Sequence, residues 1–138
     1  MNSGSKINFS ENRSVDHLNL RKVERFNTQE WEKLVTFTNS ILTSKKFEYI
    51  VNVGIGGSDL GPMMINQALK DFHQGPEIFY VSNIDPTNMS DVLEKCNPLK
   101  TLFIITSKSF GTLETLENAK VAKNWLSVAN KSINDSMV

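Results

Sequence analysis

A single cysteine, Cys96, stands in a chain of 138 residues. An internal disulfide needs two, and so does a thiolate pair on zinc. Both are excluded, and a reducing, intracellular compartment is the expectation. Histidine is nearly as scarce: His17 falls in a charged arm and His73 in a turn. Neither setting arranges a Ser-His-Asp order, and a solvated or structural role is expected of both. A charge excess of either sign is also missing. Lys+Arg and Asp+Glu each number 15, which removes the electrostatic signature of a nucleic-acid or anionic-membrane binder. No apolar run approaches bilayer length, and residues 1–10 lack the apolar core of a signal peptide. The Asn12-Arg13-Ser14 sequon therefore has no secretory context. The rest is an ordinary balance, 39% hydrophobic and 22% charged, in a length that suits one domain with a real core. The expectation is a soluble cytoplasmic domain.

The most informative stretch runs from Val51 to Pro62. The apolar run Tyr49-Ile50-Val51-Asn52-Val53 reads as a buried strand and stops at Gly54, Gly56 and Gly57. Leu60, Met63, Met64, Ile65, Ala68 and Leu69 then follow at helical spacing. This is a strand, a glycine-rich turn and a helix. Without Cβ atoms such a backbone can approach a ligand closely, and the helix points free N–H groups and its positive end into the gap. Ser58 adds a hydroxyl, and Pro62 suits a first helical turn, where no N–H is missed. The pattern fits an anion or sugar cradle better than a tight connection that binds nothing.

Residues 1–27 read as an arm preceding the domain, polar to Asn12, with Val15, Leu18 and Leu20 suggesting a short helix or docking segment over 11–22. The domain begins at 28 and runs to 138. Thr28 is a good N-cap for a helix bearing Trp31, Leu34, Val35, Thr38, Ile41 and Leu42 on one face and ending near Lys45-Lys46. A second strand is predicted over 78–82, then a helix capped by Asp85 or Thr87. Thr101 to Thr106 is a third strand, apolar throughout as parallel sheets require. The last helix carries Leu113, Leu116, Ala119, Ala122, Leu126 and Ala129 on one side. Alternating strands and helices imply an α/β fold of three αβα layers, with a parallel sheet and right-handed crossovers. Three strands are fewer than a doubly wound domain usually has, so an incomplete sheet in the order 2-1-3 is expected. That order sets the turns after strands one and three beside each other at a topological switch point.

The second of those turns gathers Thr106, Ser107, Ser109, Thr112 and Thr115 around Lys108 at a helix N-terminus. Hydroxyls and backbone N–H groups can saturate phosphate oxygens there, although one or two of them need only cap the helix. Nucleotide readings fit less well. A P-loop needs Gly-Lys-Ser/Thr, but Gly57 is followed by Ser58-Asp59. A dinucleotide fingerprint meets Asp59 where its third glycine belongs, and Asp85 stands too far downstream for the ribose. It stays as a weaker alternative. Asp59 and Asp85 suit first-turn and capping roles, Cys96 a packed position, and Trp31 and Trp125 packing on amphipathic helices. No metal-ligand spacing and no acid/base pair of carboxylates is present.

Three blocks, Val51–Pro62, Phe79–Asp85 and Leu102–Thr115, resemble consecutive blocks of the glucose-6-phosphate isomerase (phosphoglucose isomerase) family. Glu11–Arg21 resembles the segment before that family's first sugar-isomerase (SIS) domain, so the likeness runs from about residue 7 to 126 in family order. It implies an SIS-type, flavodoxin-like sheet. It also implies interconversion of glucose 6-phosphate and fructose 6-phosphate through a cis-enediol, in glycolysis and gluconeogenesis, with no metal or cofactor and in a homodimer. By resemblance, Gly57 and Ser58 contact the sugar. Ser107, Lys108, Ser109 and Thr112, with the backbone of Phe110 and Gly111, hold the phosphate. The chain departs from the family at Ser109 and Gly111, where threonine is common, at Leu113, where glutamine is usual, and at Asp85-Pro86, where Asp-Gly is common. The family's base glutamate, ring-opening histidine, lysine and arginine are expected downstream of Val138. The chain then reads as binding loops without proton-transfer groups. A free-standing phosphosugar-binding module of the same type is the alternative.

Overall fold

The computed structural model describes residues 28–138 continuously, with Lys6, Asn12, Lys22, Glu24 and Phe26 before them. The expected short helix or arm over 11–22, and His17 within it, lie outside the described residues apart from Asn12 and Lys22. Two compact units are formed, residues 1–43 and 44–138. In the first, helix α1 (Gln29–Ser44) starts where Thr28 Oγ1 accepts the Trp31 N–H at 3.3 Å, and Phe26 meets the Trp31 ring edge-on.

The second unit alternates strictly: β1 (Tyr49–Val53), α2 (Gly57–Ala68), β2 (Glu77–Val81), α3 (Pro86–Lys95), β3 (Thr101–Ile105) and α4 (Leu113–Val128). Short 3-10 turns at Lys70–Phe72 and Pro98–Lys100 lead into β2 and β3. The sheet is parallel in the order β2-β1-β3, and Val51 lies level with Phe79 on one side and Phe103 on the other. The outer edge of β3 is not bare. Phe103 and Ile105 donate to the carbonyls of Ser136 and Val138, and Val138 donates back to Phe103, an added parallel pairing beyond the three strands.

Side chains alternate between the faces. Val51, Val53, Val81 and Phe103 point to one face, where Met89 and Val92 of α3 and Ala122 and Leu126 of α4 close the core. Asn52 and Tyr80 point to the other, where each bonds a carbonyl in α2: Asn52 that of Ser58, Tyr80 that of Pro62. Helices therefore lie on both faces, as three αβα layers require. Burial and, secondarily, the nearby Asp59 charge raise the pKa of the Tyr80 phenol, so it stays a donor in this bond.

Two helices turn their faces differently from the hydrophobic spacing. In α4 the expected Leu113 and Leu116 are exposed, while Thr115, Asn118, Ala122 and Leu126 are buried. Asn118 uses its burial, donating to the Asn83 carbonyl at 2.7 Å and tying α4 to the end of β2. In α2 the residue buried is Asp59, while Leu60, Met64, Ile65 and Leu69 are exposed. Both helices begin over the sheet rim, and their first turns present polar groups there in place of apolar ones.

That rim depends on two glycines. Gly56 has φ near +61°, a conformation that side-chain-bearing residues rarely adopt. At Gly54 a Cβ would come within 3.0 Å of Ser58 Cβ, the Ser58 carbonyl and the Thr106 carbonyl. Gly54→Ala therefore forces two backbones apart, and its unfolding midpoint in urea is expected to fall by the equivalent of about 1–3 kcal/mol. Phe103→Ala, at the fully buried centre of the core, is expected to cost about 3–5 kcal/mol in the same measurement.

Helix α3 supplies a pH-dependent prediction. The Asp85 carboxylate caps it by accepting the Thr87 N–H at 2.8 Å, and this bond lowers the Asp85 pKa. Because the folded value lies below the unfolded one, the stabilisation is complete above the ordinary carboxylate range and is lost as pH falls through it. Asp85→Ala is expected to be less stable than the parent at neutral pH. The gap should close as pH falls through the lowered Asp85 pKa, and a gap independent of pH would contradict the assignment.

Candidate functional site

Both turns at the carboxyl edge continue the sheet's hydrogen bonding before they leave it. Gly54 donates to the Val81 carbonyl and Thr106 to the Val53 carbonyl. The chain then diverges into α2 on one side and the Thr106–Thr112 loop on the other. Between them lies a cavity of about 380 Å³, lined by Ile55, Gly57, Ser58, Thr106, Ser107, Lys108, Thr112 and Thr115. Of the residues predicted for binding, Gly57, Ser58, Ser107, Lys108 and Thr112 are brought together in this wall. Ser109, Phe110 and Gly111 form the outer bend of the loop and do not line it; Phe110 is 62% exposed and has φ near +51°.

The chemistry of the wall is uniform. Five of its residues carry hydroxyls, one is a lysine, and none is a carboxylate or a histidine. If the hydroxyls served only to cap α4, Thr112 at the N-cap would accept a first-turn N–H, yet its side chain makes no capping bond. Ser107 and Ser109 do shape the loop, accepting the N–H groups of Phe110 and Gly111 at 3.1 and 3.3 Å. A hydroxyl that accepts in this way keeps its own proton to donate, so the Ser107 turn contact is compatible with an anion in the cavity. The N-terminal N–H groups and dipole of α4 favour the same charge. A Cβ at Gly57 would meet nothing within 4 Å, which leaves bare backbone open toward the cavity.

Two buried oxygens near this rim have no hydrogen-bond partner among the described residues, Thr115 Oγ1 and Asp59 Oδ1. Thr115 is only 2% exposed and forms part of the cavity wall. A buried hydroxyl without a partner is costly, and one facing a polar cavity is the kind that a ligand satisfies. Asp59 is buried in the first turn of α2, where negative charge is favoured, and is not part of the wall.

Sequence reasoning missed one organising residue. Asn52, on the central strand and 7% exposed, donates from Nδ2 to the Ser58 carbonyl and accepts the Thr106 hydroxyl at Oδ1, both at 3.1 Å. The available signal was a single amide inside an otherwise apolar strand, which must find partners when buried. Among the described residues no group of three or more His, Cys, Asp or Glu could hold a metal, and no helix is long and apolar enough to cross a membrane. Cys96 is buried, and that burial raises its thiol pKa, so it is not a poised nucleophile.

Comparison with known proteins agrees with this geometry. A model of the family described as phosphoglucose isomerase matches residues 1–138. The glucose-6-phosphate isomerase of Bartonella bacilliformis is 42% identical over 145 residues, covering 91% of this chain and 26% of that protein. The enzyme of the same name from Buchnera aphidicola subsp. Schizaphis graminum is likewise 42% identical, over 144 residues and with the same shares. The chain thus spans about a quarter of the length of these relatives. Among solved structures, a glucose-6-phosphate isomerase from Chlamydia trachomatis superposes with a TM-score of 0.79 at 30% identity, over 92% of this chain and 27% of that one. Sequence and fold together place the chain in the phosphoglucose isomerase family.

Proposed function

We propose that the chain supplies the phosphosugar-binding rim of a glucose-6-phosphate isomerase, the cofactor-free enzyme that interconverts glucose 6-phosphate and fructose 6-phosphate through a cis-enediol. The observation that carries this reading is the cavity wall: hydroxyls from both turns, one lysine and a helix N-terminus, with no acidic group to repel an anion. Ser107, Lys108 and Thr112 hold the phosphate, with Ser109 and the backbone of Phe110 and Gly111 shaping the loop around it. Gly57 and Ser58 meet the sugar. Moving a proton between C1 and C2 needs a base within hydrogen-bond reach, and the wall contains none. In this reading the chain binds and orients, and residues of the longer enzyme, a cytoplasmic homodimer of glycolysis and gluconeogenesis, perform the transfer.

Calorimetry with 6-phosphogluconate, a sugar-acid phosphate, tests the proposal on the full chain. Each lost hydrogen bond to a charged oxygen is worth about 1.5–3 kcal/mol, roughly a factor of ten or more in affinity. Ser107→Ala and Thr112→Val are each expected to weaken binding by about that factor. Undiminished binding in the double variant would remove the loop as the phosphate site. The purified 138-residue chain is expected to leave fructose 6-phosphate unconverted.

A further inference from the structure

The Asn52 amide has one orientation that its neighbours permit. A backbone carbonyl can only accept, so the group facing the Ser58 carbonyl must be Nδ2, and Oδ1 is left facing Thr106. An amide oxygen can likewise only accept, so the Thr106 hydroxyl must spend its single proton on Asn52. What Thr106 then offers the cavity it lines is lone pairs alone. The dianion of a phosphate monoester brings acceptors and no proton to share with it; a sugar hydroxyl brings a donor. Ser107 is in the opposite state, since its oxygen accepts the Phe110 N–H and its proton is available. One cavity therefore holds a hydroxyl set to accept beside one set to donate.

From this we infer that Asn52 is a positioning residue that makes Thr106 a specificity element, selecting a polyol hydroxyl of the ligand while the loop beyond it takes the phosphate. The inference rests on the phosphosugar reading of the cavity and assigns its two ends. Stability alone does not account for the arrangement, because replacing both partners of a buried hydrogen bond with apolar groups of like shape can be nearly neutral. The same amide also ties the two walls together. Ser58 belongs to one and Thr106 to the other, and Gly54 allows the carbonyls of both to pass within 3.0 Å of where its Cβ would stand.

The test compares two probes on the full chain at about pH 8, 6-phosphogluconate by calorimetry and methyl phosphate, a monoester dianion without a hydroxyl, by phosphorus NMR titration. Asn52→Leu frees the Thr106 proton, and Thr106→Val removes the acceptor while keeping the bulk. In each variant the ratio of 6-phosphogluconate affinity to methyl phosphate affinity is expected to fall about tenfold, the effect of one hydrogen bond at ~1.4 kcal/mol. A variant that merely loosens the rim weakens both probes together and leaves the ratio unchanged, which would overturn the assignment. Should Asn52→Leu fail to fold, Thr106→Val decides alone, and an unchanged ratio there has the same force. If the parent chain binds neither probe, the phosphosugar reading itself falls, a result distinct from binding whose ratio the variants do not move.

Discussion

The closeness of two backbones at Gly54 is the constraint from which the cavity follows. Parallel pairing of β1 with β2 and β3 brings the turns after β1 and β3 to the same rim, but pairing alone leaves room for side chains between them. With no Cβ at residue 54, the Ser58 and Thr106 carbonyls close in, and the Asn52 amide can reach a partner on each wall. Beyond this pinch the walls separate as α2 and the Thr106–Thr112 loop diverge, and the space they leave is the cavity. A side chain at position 54 would push apart the groups whose separation determines what fits.

The sheet rim also explains why α2 and α4 depart from simple amphipathic faces. A helix that lies over a core along its whole length buries an apolar stripe. Helix α4 does so only in its second half, at Ala122 and Leu126; its first half buries Thr115 and Asn118. Burial of a polar group is unfavourable unless something bonds it. Asn118 is bonded by the chain itself, through the Asn83 carbonyl, whereas Thr115 is left facing the cavity without a partner. The two solutions divide the labour within one helix: Asn118 fixes where the helix starts, and Thr115 keeps bonding capacity in reserve.

Much of this was legible in the sequence. Runs such as Thr101–Thr106 and the turn signals between them sufficed for strand positions and helix order, because β-period and helix-period patterns differ strongly over these lengths; the order 2-1-3, which the sheet shows, came with the fold class and not from those patterns. The glycine cluster and the Ser/Thr-rich loop contain seven residues of the cavity wall, Gly57, Ser58, Thr106, Ser107, Lys108, Thr112 and Thr115. Helix faces were less legible. Leu113 and Leu116 match a helical stripe as well as Ala122 and Leu126 do, and spacing alone does not say that the stripe rotates where a helix passes from core to rim. Asn52 was hidden for a related reason: its role comes from Ser58 and Thr106, the latter 54 positions away, and no local pattern encodes that contact.

The polar groups in the cavity wall suit one kind of chemistry and not another. Holding a dianion calls for donors that keep their protons, and hydroxyls, backbone N–H groups and a lysine all do so at neutral pH. Abstracting a proton from carbon calls for a group whose protonation changes, which means a carboxylate or imidazole shifted by its surroundings. An anionic base beside the phosphate would raise the cost of binding the very ligand it serves. Two βα turns at one rim can satisfy the first requirement because the donors there come from the backbone, from short side chains next to it and from one lysine. The second requires a carboxylate or imidazole, and the wall of five hydroxyls and one lysine contains neither.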